Sequence, residues 1–135
     1  MLKVVKFIVI VLIGFSLDAC KKSDTPTPTE VELPENIIGT FRADCLYYTN
    51  GSNNMSTCSG AVATLIDTGN DTYSITFSNN VPALVNLKFE VDNNGNYVSV
   101  DIDGSTAGIT LSAYDLNVGV NKTSESWRFL GYKWK

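Results

Sequence analysis

After its first thirty residues the chain alternates apolar and polar positions with period two, the pattern of strands that keep one face on a core and the other in water. Tyr73, Ile75 and Phe77 alternate with Thr72, Ser74 and Thr76, and Val85, Leu87, Phe89 and Val91 alternate with Asn86, Lys88 and Glu90. No segment beyond the apolar N-terminal run carries a stripe at helical spacing. The alternation predicts an all-β fold of seven or eight strands, at roughly 38–49, 56–67, 72–78, 84–91, 97–102, 107–114, 116–121 and 125–134.

Turn residues between these runs predict the registers. A two-residue turn at Gly51-Ser52 sets Cys45 opposite Cys58, and Phe41 opposite Val62 on the same face. Asn94-Gly95 reads as a type I′ turn, because both residues tolerate positive φ; it pairs Phe89 with Val100, Leu87 with Ile102 and Lys88 with Asp101. Asn121-Lys122-Thr123-Ser124 places Val118 opposite Trp127 and Leu116 opposite Phe129, with Gly131 leaving room inside. The apolar parity switches between Ala113 and Leu116, which predicts a bulge or corner near Tyr114-Asp115. Pro82 is expected at a strand entry or edge.

Successive hairpins with one apolar face suit a small antiparallel up-and-down β-barrel; an Ig-like β-sandwich is the alternative. Against the sandwich, both tryptophans, Trp127 and Trp134, lie in the last strand, and the cysteine pair spans a single hairpin. Phe41, Phe77, Phe89, Trp127 and Phe129 point inward in this scheme and line either a core or a ligand cavity. Ile38-Gly39-Thr40-Phe41 resembles the Gly-x-Trp opening of lipocalin-like and avidin-like barrels, with Phe41 in place of Trp. That resemblance implies a barrel whose interior holds a small hydrophobic ligand.

The N-terminus reads as a signal. Lys3 and Lys6 precede an apolar run at 7–17, too short for the roughly 20 residues of a spanning helix, and Leu17-Asp18-Ala19-Cys20 resembles the bacterial lipobox, Asp18 departing from its usual small or apolar residue. The resemblance implies cleavage before Cys20 and lipidation of its thiol, so that the acylated cysteine is the contact with the membrane. The domain organisation that follows is a signal peptide at 1–19, a disordered Pro/Thr-rich tether at 20–36 and one all-β domain at 37–135. Cysteine, two lysines, a polar stretch and a small β domain are also similar to the lipoproteins of Bacteroidota, which implies a lipid-anchored place in the cell envelope, at the outer membrane, with the periplasmic or outward face left open.

Charge and chemistry narrow the function classes. Removing Lys3, Lys6 and Asp18 from ten basic and fourteen acidic residues leaves eight against thirteen, an acidic surface that argues against nucleic acid as a partner. With Cys20 assigned to lipid, Cys45 and Cys58 are expected to form a structural disulfide in an oxidising compartment. The chain contains no histidine, so the usual general base, Ser-His-Asp and Cys-His arrangements and most zinc sites are missing. Asp92, Asn94 and Asn96 resemble the start of an EF-hand loop, but Tyr97 stands where the glycine belongs; turn chemistry explains them better. Asp101 and Asp103 share one strand face with nothing in their spacing to recommend catalysis. The expectation is a non-enzyme without metal or cofactor: a β-barrel binding module for a small hydrophobic ligand, or else a solid-cored interaction protein meeting an envelope protein or glycan. Tyr47, Tyr48, Tyr132 and Trp134 could stack on a sugar or partner where exposed, although strand packing is the commoner use of such residues.

Overall fold

The alternating segments become eight antiparallel strands in the computed structural model, which describes residues 29–100 and 108–134. They are β1 (Gly39–Asn50), β2 (Asn53–Gly69), β3 (Thr72–Phe77), β4 (Leu84–Val91), β5 (Tyr97–Val100), β6 (Ile109–Leu111), β7 (Asp115–Asn121) and β8 (Glu125–Lys133). Each pairs with its neighbour in sequence, and β8 returns to β1, closing an up-and-down barrel. Closure leaves no sheet edge and rules out the sandwich. The Cys20 site, the signal at 1–19, Asp101 and Asp103 lie outside the described residues.

The first hairpin turns at Gly51-Ser52, with Asn50 opposite Asn53, and Cys45 faces Cys58. Below the cysteines the expected register shifts. Ser59 and Gly60, at φ 111° and 76°, together oppose the single residue Asp44, so Phe41 meets Ala63 rather than Val62. β1 carries an irregularity of its own at the same level, where its ladder with β8 shifts between Arg42 and Leu46, and this puts Phe41 inside and Cys45 outside, where an unbroken strand would have kept them on one face.

Three turns also differ from expectation. Asp92 Oδ1 accepts the N–H groups of Asn94 and Asn96, both at 2.8 Å, and Gly95 alone takes positive φ, 80°. The result is a three-residue loop at 93–95 instead of a type I′ turn. Phe89 therefore pairs with Ser99 and Lys88 with Val100, and β5 turns Tyr97 and Ser99, not its valines, toward the interior. At the last hairpin Lys122 N–H donates to Glu125 C=O at 2.7 Å, and Val120 faces Trp127, Val118 faces Phe129 and Leu116 faces Gly131. This displacement is by two residues, which keeps every side chain on its expected face. The parity switch near Tyr114-Asp115 is a tight hairpin turn, not a bulge or corner: Ser112 N–H donates to Asp115 C=O, and Ser112 Oγ accepts from the N–H groups of Tyr114 and Asp115.

Both ends of the barrel are covered. At one end the chain before β1 runs beneath the strands, where Val31 N–H donates to Phe89 C=O, Leu33 N–H donates to the Tyr73 hydroxyl at 2.8 Å, and Leu33 and Ile37 are buried. This segment fills the place where β3 and β4 part after two paired positions, Tyr73 with Leu87 and Ile75 with Leu84. Packing on the barrel thus begins at Val31, upstream of Ile37. Lys133 Nζ ties the same segment down by donating to the carbonyls of Ile37 and Ile38, each at 2.6 Å. At the other end Val81 is buried and Trp127 Nε1 donates to Pro82 C=O at 3.0 Å.

Candidate functional site

The interior is occupied by side chains. Phe41, Phe89 and Phe129 are fully buried, Trp127 is buried, and Phe77 packs on the same core. The rings touch one another: Tyr73 meets Phe89 edge-on at 5.7 Å between centroids, Phe77 meets Phe129 at 6.1 Å, and Tyr48 leans on Trp127 at 5.2 Å. An eight-stranded barrel encloses about enough space for its own inward residues, and five large aromatic rings contributed by β1, β3, β4 and β8 use that space as core. The five sequence-predicted lining residues therefore come together as packing partners.

Polar groups that enter this core find partners. Tyr73 is held as a neutral phenol, its hydroxyl pushed up by burial while it accepts from Leu33. Tyr48 is likewise raised, chiefly because its hydroxyl donates to the Glu125 carboxylate. Burial pushes the Lys133 ammonium down; the two carbonyls and the Phe41 ring, 4.8 Å away, receive it. These groups lie toward the barrel ends, and none of them lines the clefts on the outer wall.

Open space lies on the outer wall instead. A cleft of about 680 Å³ crosses β1, β8, β7 and β6. Its form follows from the registers: Tyr47 pairs with Arg128, and Arg128 pairs with Gly119, whose N–H donates to Gly108 C=O at 3.1 Å. Two long side chains are thus followed across the wall by two positions with no side chain. The rows on either side carry Leu130, Asn117 and Thr110 below, and Ser126 and Asn121 above, so the glycines form a floor between walls of amide, hydroxyl and apolar groups. A smaller cleft of about 350 Å³ continues from it past Asp44 and Cys45, sharing Tyr47, Arg128 and Leu130.

The outward face of β8 and its continuation extend this surface into an aromatic strip. Leu130, Tyr132 and Trp134 are 59%, 54% and 53% exposed, and Tyr47 on β1 is 46% exposed, whereas Tyr48 turns inward. Arg42 lies across from Tyr132, and its guanidinium carbon stands 3.1 Å from the centroid of the Trp134 ring. Its Nε is buried without a hydrogen-bond partner. The Cys45–Cys58 disulfide, Cα atoms 4.1 Å apart, crosses the outer face next to this strip, with the Tyr47 hydroxyl 3.8 Å from Cys58 Sγ. It staples the β1–β2 hairpin at its bulge and holds Tyr47 at the lip of the cleft.

Sequence reading singles out Tyr47, Tyr132 and Trp134 but passes over Arg42, Arg128, Asn117, Gly119 and Leu130. The signal for them was the same alternation read on its polar side, since 117, 119 and 121 and 126, 128, 130 and 132 occupy one face of paired strands. Asp92, its carboxyl lowered by the N–H groups of Asn96 and Asn94, serves its own turn. Comparison with family models, with curated proteins and with solved structures finds no significant match to this chain.

Proposed function

We propose that this chain is an exported envelope protein, lipid-anchored through Cys20, whose barrel is a non-enzymatic binding module that takes a glycan on its outer wall. The observation that carries this reading is the cleft floored by Gly108 and Gly119 beside an exposed aromatic strip, on a barrel whose interior is packed. Sugar rings present a C–H face that suits Tyr47, Tyr132 and Trp134, and a rim of hydroxyls that suits Asn117, Asn121, Thr110 and Ser126. The packed interior supports this over a small hydrophobic ligand held inside. The lipobox-like residues Leu17, Ala19 and Cys20 support the anchor.

The test is occlusion. Gly119 lacks positive φ, and a Cβ there would meet only Gly108 O at 3.9 Å, so the backbone accepts a side chain that then fills the cleft. Affinity electrophoresis of the purified protein through gels containing envelope and plant polysaccharides should show retardation by at least one of them. Gly119→Leu should abolish it while leaving the melting temperature within a few degrees. Unchanged retardation of that variant, or retardation by none of the polymers, would refute the reading. Mass spectrometry of the protein from membranes should find Cys20 N-terminal and acylated.

A further inference from the structure

We propose that the glycan is an acidic polymer lying along the β1–β8 seam, its carboxylates received by Arg128 in the cleft and by Arg42 at the aromatic end of the strip; this rests on the glycan reading above. The chain as a whole is acidic, with fourteen carboxylates against ten cations. Yet among the described residues the ion pair formed is Glu30 with Lys88, on another part of the barrel, and neither arginine has a carboxylate within salt-bridge distance. The neighbouring acids are engaged or apart: Glu125 accepts from Tyr48 and Asn50, Asp115 lies near Ser112 Oγ, and Asp44 rims the smaller cleft. Among the described residues, Arg128 is the one cation lining the larger cleft, and no carboxylate joins it there.

Arg42 is held in a form suited to a bidentate acceptor. The Trp134 ring covers one side of the guanidinium and its Nε is shielded from water, so the charge is partly desolvated, and no anion among the described residues compensates it. A carboxylate delivered by a ligand would make two charge-assisted bonds to the remaining fork. Arg128 and Tyr132, the cross-strand partner of Arg42, are four residues apart on β8, about 13 Å at ~3.3 Å per residue. A single sugar ring cannot reach both guanidiniums; an extended oligomer can, with Tyr132 and Leu130 beneath the rings between them.

Isothermal titration of the purified protein with a galacturonate hexamer, its carboxyl-reduced neutral counterpart and a galacturonate dimer tests this. The acidic hexamer should bind at least tenfold tighter than the neutral one and tenfold tighter than the dimer, and the difference should shrink between 50 and 200 mM salt. Arg128→Gln and Arg42→Gln should each remove most of the acidic preference, Arg42→Lys restoring part of it, while Gly119→Leu removes binding of both hexamers. Equal binding of the two hexamers, both lost in Gly119→Leu, would overturn the acidic assignment and leave the glycan reading standing. A dimer as tight as the hexamer would overturn the two-arginine geometry. Binding of neither hexamer would overturn this assignment, and the polysaccharide gels would then decide the broader reading.

Discussion

Gly131→Ala is the sharpest perturbation of the seam on which the candidate site is built. Gly131 faces inward from β8 opposite Leu116, where the β1–β8 ladder shifts register between Arg42 and Leu46 and brings the β1 backbone close. A Cβ added there would overlap the Phe129 ring, lying 2.6 Å from its Cζ, and would stand 3.1 Å from the Arg42 carbonyl oxygen. The carbonyl belongs to the β1 backbone and yields little, so the ring must move. Phe129 is fully buried and already rests edge-on against Phe77, so its ring moves only by displacing other core atoms. Forcing a methyl into a filled core costs about 1–3 kcal/mol, and a contact this close belongs at the upper end. At roughly 5 °C per kcal/mol for a domain of about 100 residues, the melting temperature should fall by about 15 °C.

Thermal unfolding followed by circular dichroism reads this directly. The cause is checked by pairing the change with Phe129→Leu, which removes the ring atoms that clash. The two changes should be coupled by at least ~1 kcal/mol, the double variant being more stable than the sum of the singles allows. A Gly131→Ala protein melting within ~3 °C of the parent would refute the clash, and strict additivity would show that Phe129 is not what resists the methyl.

The remaining predictions concern the staple and a turn. Replacing both Cys45 and Cys58 by Ala releases a loop with a sequence separation of 13, which the chain-entropy model values at about 3 kcal/mol; chemical denaturation should show that loss, and a midpoint unchanged in urea would mean that the hairpin is already fixed in the unfolded chain. Asp92→Ala should lower the melting temperature at neutral pH by removing the acceptor for Asn94 and Asn96 N–H. Because the folded-state pKa of Asp92 is depressed, its contribution is present above about pH 4 and lost as pH falls through the lowered value, so the gap between variant and parent should narrow in acid. A gap that stays constant down to pH 2 would count against the carboxylate as its source.

Most of the barrel was legible because its information is carried by the apolar face. Strand positions follow from alternation, and Cys45 opposite Cys58 follows from a two-residue turn, which admits one register. What was missed lies where polar residues decide. The stretch from Asn53 to Gly60 is solvent-exposed apart from a half-buried Thr57, so no apolar residue marks the point at which Ser59 and Gly60 insert an extra position. At Asp92-Asn93-Asn94-Gly95-Asn96 several turns satisfy the same composition. The choice falls to which N–H groups the Asp92 carboxylate captures, and it moves the ladder by one residue, turning Ser99 inward and Val98 outward.

The candidate site was hidden for a related reason. A cleft in a sheet is made by what is absent, here side chains at 108 and 119, and a reading that counts apolar residues assigns a glycine no face at all. The pairing that lines up Tyr47, Arg128, Gly119 and Gly108 spans four strands and about eighty residues of sequence, so it exists only after the barrel closes. Closure also decides which face is free to bind. Once Phe41, Phe77, Phe89, Trp127 and Phe129 fill the interior, the outer wall is the surface on which side chains can change without cost to the core. Three exposed aromatic residues stand there, Tyr47 on β1, Tyr132 on β8 and Trp134 just beyond, beside two arginines without a carboxylate partner among the described residues, and the proposed glycan site is built from that combination.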